Sequence, residues 1–269
     1  MSEKRIQWFK FSSPGNFFAL VEKLLPWLWT TALITTALGL YIGFFVAPVD
    51  YQQGNSYRIM FIHVPAAWMS MFIYLVMAVY AFITLVWRIK MADVLAASLA
   101  PTGALFTFAA LWTGALWGRP TWGAYWVWDA RLTSELLLLF LYLGYMALHA
   151  AIPDRQRASR AASLLALVGV VNLPIIYFSV KWWNTLHQGA SVSVSKGASM
   201  DSSMLAAMLL LSLACWMYAI AVSLTRAQAE TLDRERGATW ASSLAAAQAA
   251  ELDEDLETTS EGVPVQHTW

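Results

Sequence analysis

Cysteine and charge are what this chain has least of. Cys215 is its single cysteine, which excludes an intramolecular disulfide and any Cys-based zinc site. C-x-x-C-H is missing, so the chain is not itself a c-type cytochrome. G-x-x-x-x-G-K-[ST] is missing too, so it is not an ATPase on its own. Asp, Glu, Lys and Arg make up 13% of its 269 residues, against about 25% in soluble domains. So few charges cannot keep a globular surface wet. With 59% hydrophobic residues, the chain reads as a polytopic membrane protein with no nucleic-acid partner. The N-terminus, MSEKRIQWFKFSSPGNFF, is basic and amphipathic. It lacks a short apolar core followed by a small-residue cleavage site, so no removable signal peptide is expected.

What is abundant is apolar run length. A membrane-spanning helix needs about 20 apolar residues, and six stretches qualify: 26–47, 61–87, 96–117, 132–151, 161–180 and 203–224. The expected class is therefore all-α, with six transmembrane helices. Lys and Arg set the orientation, because they gather on the cytoplasmic side. With the N-terminus inside, the inner side carries Lys4, Arg5, Lys10, Lys23, Arg88, Lys90, Arg155, Arg157, Arg160, Arg226, Arg234 and Arg236. The outer side carries only Arg58, Arg119, Arg131, Lys181 and Lys196. Both termini are thus expected in the cytoplasm. The organisation reads as a cytoplasmic N-terminal segment (1–25), a six-helix membrane domain (26–224) and a cytoplasmic tail (225–269). The tail is Ala-, Glu- and Asp-rich; it is expected to continue the last span as a helix and then become acidic and disordered. No internal repeat is evident.

The densest signal is residues 117–133, WGRPTWGAYWVWDARLT, in the loop between the third and fourth spans. Trp117, Trp122, Trp126 and Trp128 fall there with Asp129 and Arg131, on the outer face. Indole faces can stack on a flat ligand, and Arg can meet its carboxylates. Two other outer segments carry a histidine each. His63 lies at the start of the second span, just before Pro65, where a helix is expected to begin. His187 lies in KWWNTLHQGASVSVSKGASMDSS. In a six-helix bundle these loops come close enough for both His to flank the Trp segment. Imidazole nitrogen is a common haem-iron ligand, and Arg58, Arg119, Arg131 and Lys181 are the outer cations that could meet propionates. If the loop holds a helical turn, Trp122, Trp126 and Asp129 share a face, and Asp129 could hold Arg131 or an indole N–H.

Plainer readings exist for each of these. Trp and Tyr gather at membrane interfaces for amphipathic reasons alone. A histidine at a helix start is often a solvated or capping residue, and Asp129 and Arg131 could form a helix-start pair. Glu135, about one turn into the fourth span, is a functional hypothesis by default; the favoured reading is that it snorkels outward or pairs with Arg131. His149 reads as a solvated boundary residue and His267 as inert to the outer site. Asn172 and Pro174 suggest a kink in the fifth span, whose freed carbonyl needs a partner. The 11 Met form no convincing axial-ligand motif.

WGRPTWGAYWVWDARLTSELLLLFLY resembles the tryptophan-rich "WWD" signature of haem-handling membrane proteins of cytochrome c biogenesis. YRIMFIHVPAAWMS and WWNTLHQG narrow the resemblance to the haem exporter protein C (cytochrome c maturation protein C) family, over roughly residues 20–225. The larger synthetase-type WWD proteins have more spans and further His. The resemblance implies residence in the bacterial inner membrane and haem b bound at the periplasmic face. It implies two axial ligands, matching His63 and His187, and a WWD loop matching Trp117, Trp122, Trp126, Trp128, Asp129 and Arg131, with Arg58 in the first outer motif. It implies attachment of haem to a periplasmic chaperone, maturation protein E, beside an ABC-transporter pair (A and B) and the small membrane protein D.

The mechanism expected from this is positional: haem edge-out on the Trp segment, iron between the two His, one edge open to the chaperone. No catalytic acid, base or nucleophile is recognisable, so whether the chain is an enzyme is left open. The alternative is a subunit that moves haem across the bilayer within an ABC complex. That would need a polar path, and the spans show few charged groups beyond Glu135. A b-type electron-transfer subunit would place paired His at mid-membrane, and a passive scaffold would not need the Trp-rich loop.

Overall fold

A few positions decide where helices start and stop. The carboxylates of Asp129, Asp154 and Asp201 accept hydrogen bonds from the N–H groups of Leu132, Arg157 and Ser203, satisfying donors that a first helical turn leaves free. Pro14 takes a first-turn position, where its missing N–H is no loss. Gly123 (φ 82°) and Arg88 (φ 55°) close two helices in the left-handed conformation. In the computed structural model, which describes residues 13–187, 192–193, 197–244, 246 and 250, these signals delimit seven helices. They are α1 (Pro14–Tyr41), α2 (Met60–Trp87), α3 (Lys90–Trp122), α4 (Ala130–Ala151), α5 (Arg155–Gly169), α6 (Asn172–Trp182) and α7 (Ser202–Arg234). A π turn, Ile42–Val46, extends α1, and a 3-10 turn, Ser56–Ile59, leads into α2. A two-residue antiparallel ladder pairs β1 (Val192–Ser193) with β2 (Gly197–Ala198), Val192 opposite Ala198.

These helices supply six spans long and apolar enough to cross a membrane, with α5 and α6 together forming the fifth, Arg155–Trp182. The class is all-α, as expected. The outer spans are longer than their apolar cores suggest. The first begins at Pro14 instead of residue 26, because Phe17 and Val21 pack with Met91, Val94 and Ala227. The last runs through the start of the tail to Arg234. Lys4, Arg5, Lys10, Lys196 and His267 lie outside the described residues, as does the acidic end of the tail.

Lipid is as apolar as leucine, so helices in a bilayer associate by close packing. Here α2 packs most closely on α3, and α1 on α7. Ala96, Ala100 and Ala104 recur every fourth residue of α3 and are buried, which lets α2 approach. The bulk is supplied by Tyr74, Tyr142 and Tyr145, all fully buried. The break between α5 and α6 is the expected kink. Pro174 cannot donate to Val170, whose carbonyl is instead met by Leu173 N at 3.1 Å. The Asn172 side-chain amide donates to Ser134 O at 2.8 Å, fastening the kink to α4.

Candidate functional site

The ends of α2, α3 and α4 that carry His63, Trp122 and Asp129 meet at one pole of the bundle, where the segment after α6 brings in His187. His63 lies in the first turns of α2, which begins at Met60, close to where the sequence places it. Its Nδ1 is 3.0 Å from Ala110 O and 3.1 Å from Thr113 Oγ1. The Thr113 hydroxyl donates its own proton to Ala109 O at 2.6 Å. Both neighbours of Nδ1 are therefore acceptors, so Nδ1 carries the hydrogen and Nε2 keeps its lone pair. This is how a metal-binding histidine is oriented: a hydrogen bond on one nitrogen aims the other. Gly114 makes room for the ring. A Cβ there would lie 2.9 Å from His63 Cε1.

The rings of His63 and His187 have centroids 6.3 Å apart and planes inclined by 34°. Trp117 flanks the first at 5.7 Å, edge-on, and Trp122 the second at 6.1 Å. A metal–imidazole bond is about 2.0–2.1 Å, so two imidazoles on opposite sides of one iron hold their ring centres roughly 6 Å apart. The observed separation fits. Among the described residues no group of three or more His, Cys, Asp or Glu is placed to hold a metal ion. Two imidazoles alone do not make a zinc site, which needs at least three protein ligands. They suit an iron whose other four positions are filled by a macrocycle.

The Trp-rich segment is built differently from the helical turn considered for it. α3 continues through Trp117 to Trp122, and only 123–129 is loop. Gly123 stops the helix, so Trp126 and Asp129 do not share a helical face with Trp122. The four indoles have separate settings. Trp117 donates from Nε1 to Gln53 Oε1 at 2.7 Å, tying α3 to the first outer loop. Trp126 meets Trp128 edge to face at 5.3 Å. Trp126 Nε1 is buried without a hydrogen-bond partner among the described residues, and Trp128 is 77% exposed.

Asp129 is the cap of α4, accepting from Leu132 N at 2.8 Å. It forms no ion pair with Arg131, and its Oδ2 is buried without a partner among the described residues. Arg131 instead donates to Ile176 O at 3.0 Å, reaching α6. Arg58 is largely committed to structure: its guanidinium donates to Gly43 O, to Ala47 O at 3.0 Å and to Asn55 Oδ1 at 3.2 Å. Arg119 bonds Gly123 O and lies over the Tyr125 ring, and Lys181 lies over Phe178. Arg119 and Arg131 each spend one guanidinium nitrogen on a backbone carbonyl, so both keep donors beside the Trp segment.

Two readings of polar residues change. Glu135 neither snorkels nor pairs with Arg131: it is 7% exposed and accepts from Ser70 Oγ at 2.7 Å. Inward pointing follows from the α4 register, which turns Glu135, Leu138 and Tyr142 to the core together. His149 is half-buried instead of solvated, with Tyr145 at 4.9 Å and Asp93 at 4.0 Å. Sequence reasoning missed Thr113, Gly114 and Gln53. A Thr-Gly pair inside an otherwise good helix-forming run was the available signal, since Gly there disfavours the helix unless something needs the space.

A family model described as Heme exporter protein C matches residues 7–242. The chain is 53% identical over 223 residues to the Heme exporter protein C of Bradyrhizobium diazoefficiens, covering 83% of this chain and 84% of that one. It is 58% identical over 178 residues to that of Escherichia coli K12 (66% and 73%). It is 45% identical over 235 residues to that of Haemophilus influenzae (87% and 96%).

Proposed function

As the chain belongs to the Heme exporter protein C family, we propose that it binds haem b at the pole formed by α2, α3, α4 and the segment after α6, and presents it for transfer. His63 and His187 are the axial ligands. When bound, haem contributes a flat apolar face, an iron with two open axial positions and two carboxylates. The chain's own residues do the rest. Ala110 and Thr113 aim His63, Trp117 and Trp122 wall the two imidazoles, and Arg131 is the cation for a propionate. Trp126 and Trp128 extend an indole surface to the rim. The pole faces the periplasm of a bacterial inner membrane, with both termini cytoplasmic, in keeping with the distribution of Lys and Arg.

The receiving partner proposed is the haem chaperone, maturation protein E, with ABC subunits A and B and protein D as the surrounding complex. Transfer rests on positioning: the ligand is held with one edge outward, and the exposed Trp128 lies where a partner would dock. The tail after residue 225 is assigned no part in this.

The observation that carries the reading is the His63–His187 pair at 6.3 Å with His63 Nε2 left available. Purified His63→Ala and His187→Ala should each show an altered haem absorption spectrum, and added imidazole should restore it in part. Wild-type spectra from both variants would refute axial ligation. Replacing Trp122 and Trp126 together should lower haem transfer while the protein still inserts. A normal yield of haem-loaded chaperone would reduce the indoles to an interfacial belt.

A further inference from the structure

Away from the His63 pole, one face of α4 is polar along its whole length. Arg131, Glu135, Tyr142, Tyr145 and His149 fall at helical spacing on that face, with Leu138 between them. From Arg131 to His149 the rise is about 27 Å at 1.5 Å per residue, nearly a bilayer core. A lipid-facing stripe of this kind would be prohibitive, and it is not lipid-facing: Glu135, Tyr142 and Tyr145 are buried.

Partners from other helices continue the stripe. Ser70 donates to Glu135 Oε1 at 2.7 Å, and Tyr142 Oη donates to Ser70 O at 2.8 Å. Tyr74, one turn along α2, packs on Tyr142 at 5.0 Å. Tyr145 then meets His149 at 4.9 Å, and His149 Nε2 lies 4.0 Å from Asp93 Oδ1. Asp93, 6% exposed, is held from the other side by Arg234 at 2.9 Å, which also binds Glu230 at 2.7 Å. The column thus begins at a charged cluster at the far pole and ends at Glu135.

Two features argue against mere packing. The hydroxyls sit in notches cut by glycines: a Cβ on Gly103 would overlap the Tyr142 hydroxyl, and one on Gly169 the Tyr74 hydroxyl. Moreover, Tyr74 Oη, Tyr145 Oη, His149 Nε2 and Asp93 Oδ1 are all buried with no hydrogen-bond partner in the protein among the described residues. Buried polar atoms are satisfied by protein or by ordered water, and four orphans in succession along one seam supply the two to four polar partners that an internal water needs. Phenylalanine would fill the same volume without that demand.

We propose that this seam is a hydrated proton-access path that connects buried Glu135 with the Asp93–His149–Arg234 pole. Asp93 and His149 exchange protons with solvent at that pole, flanked by Arg234, Glu230 and Tyr145. Water and the hydroxyls of Tyr145, Tyr74 and Tyr142 carry them to the Ser70 hydroxyl and Glu135, while the Ser70 carbonyl that Tyr142 binds only holds that ring in place. The groups facing Glu135 itself are Ser70, Arg131 and Tyr142. Each step passes one proton on while receiving another, so no bond order changes and no co-reactant is needed. The path stands independently of what binds at the His63 pole.

Infrared spectroscopy of the full-length protein in lipid nanodiscs tests this. A carboxyl C=O band absent from Glu135→Gln identifies the group between about pH 5 and about pH 9, the range buried Glu residues span. In D2O that band should deuterate readily in wild type. It should slow by about tenfold or more in Tyr74→Phe and Tyr145→Phe, the rate equivalent of one lost hydrogen-bonded link. His149→Gln keeps a polar side chain at a half-buried helix end and should also slow it. Exchange as fast as wild type in all three overturns the path. So does the lack of any Glu135-dependent band across that pH range.

Discussion

Gly114→Ala adds one methyl group beside His63, and its effect can be worked out from distances. The new Cβ would stand 2.9 Å from His63 Cε1, 3.4 Å from Nδ1 and 3.9 Å from Nε2. Carbon–carbon contact is comfortable at about 3.5–4.0 Å, so the imidazole must retreat by roughly 0.6 Å or more. Retreat draws Nδ1 away from Ala110 O and Thr113 Oγ1, now at 3.0 and 3.1 Å. Losing the better of these costs about 1 kcal/mol, and metal ligation tolerates only about ±0.2 Å. Haem retention should therefore fall about tenfold or more, with the axial-ligand spectrum changed. Global stability should move little, because Ala gains about 0.5–1 kcal/mol over Gly in a helix interior, offsetting part of the crowding. The assay is a haem titration of purified protein alongside its thermal unfolding in detergent. If Gly114→Ala binds haem with wild-type affinity and spectrum, the His63 ring does not depend on this notch and the ligand geometry argued above is wrong. If binding and stability fall together, the methyl has damaged the fold, and the inference about the ligand fails as well.

Asp129 has two separable oxygens. Asp129→Asn keeps an acceptor for Leu132 N, so helix stability should hold, whereas Asp129→Ala should cost about 1 kcal/mol through loss of the cap. Loss of haem transfer in the Asn variant at unchanged unfolding temperature would assign a role to the second oxygen; full transfer would leave Asp129 as a cap alone. Gly103→Ala drives a methyl into the Tyr142 ring and should destabilise the bundle by about 1–3 kcal/mol, measured by thermal unfolding in detergent. An unchanged unfolding temperature there would mean that the α3–α4 contact is looser than its burial implies.

The membrane class and the number of spans were legible because lipid imposes one simple rule, a run of apolar residues as long as the bilayer core is thick. Element ends were less so. Phe17 and Val21 extend α1 far before the apolar run, and only their packing against Val94 and Ala227 explains it. At the site, composition pointed to segments that the fold brings together, since two His beside clustered indoles in separate outer segments is an unusual arrangement. It could not show that Gly123 ends α3, because glycine is also common within membrane helices. Nor could it show the turn of α4 that buries Glu135. That depends on Ser70, 65 residues away in sequence, offering a hydroxyl. Long-range polar pairing leaves no periodic trace, so snorkelling was the simpler reading.

The four indoles illustrate why counting aromatics is weaker than placing them. Trp117 is committed twice, by its N–H to Gln53 and by its edge to His63, so it fixes the first outer loop against α3 and cannot also swing to meet a partner. Trp122 lies on the last turn of α3 against His187 and therefore moves only if that helix end moves. Among the described residues, Trp126 keeps a buried N–H without an acceptor, and Asp129 at the end of the same loop keeps a buried oxygen without a donor. Unsatisfied groups of this kind cost about 1–3 kcal/mol each and persist where a ligand or water completes them. Trp128 alone is largely exposed. The gradient runs from a rigid inner pair beside the imidazoles, through a polar gap, to a free ring at the rim. A site that only stored its ligand would gain by burying the last indole as well. Leaving Trp128 outward costs apolar burial and makes sense if the rim has to meet another surface.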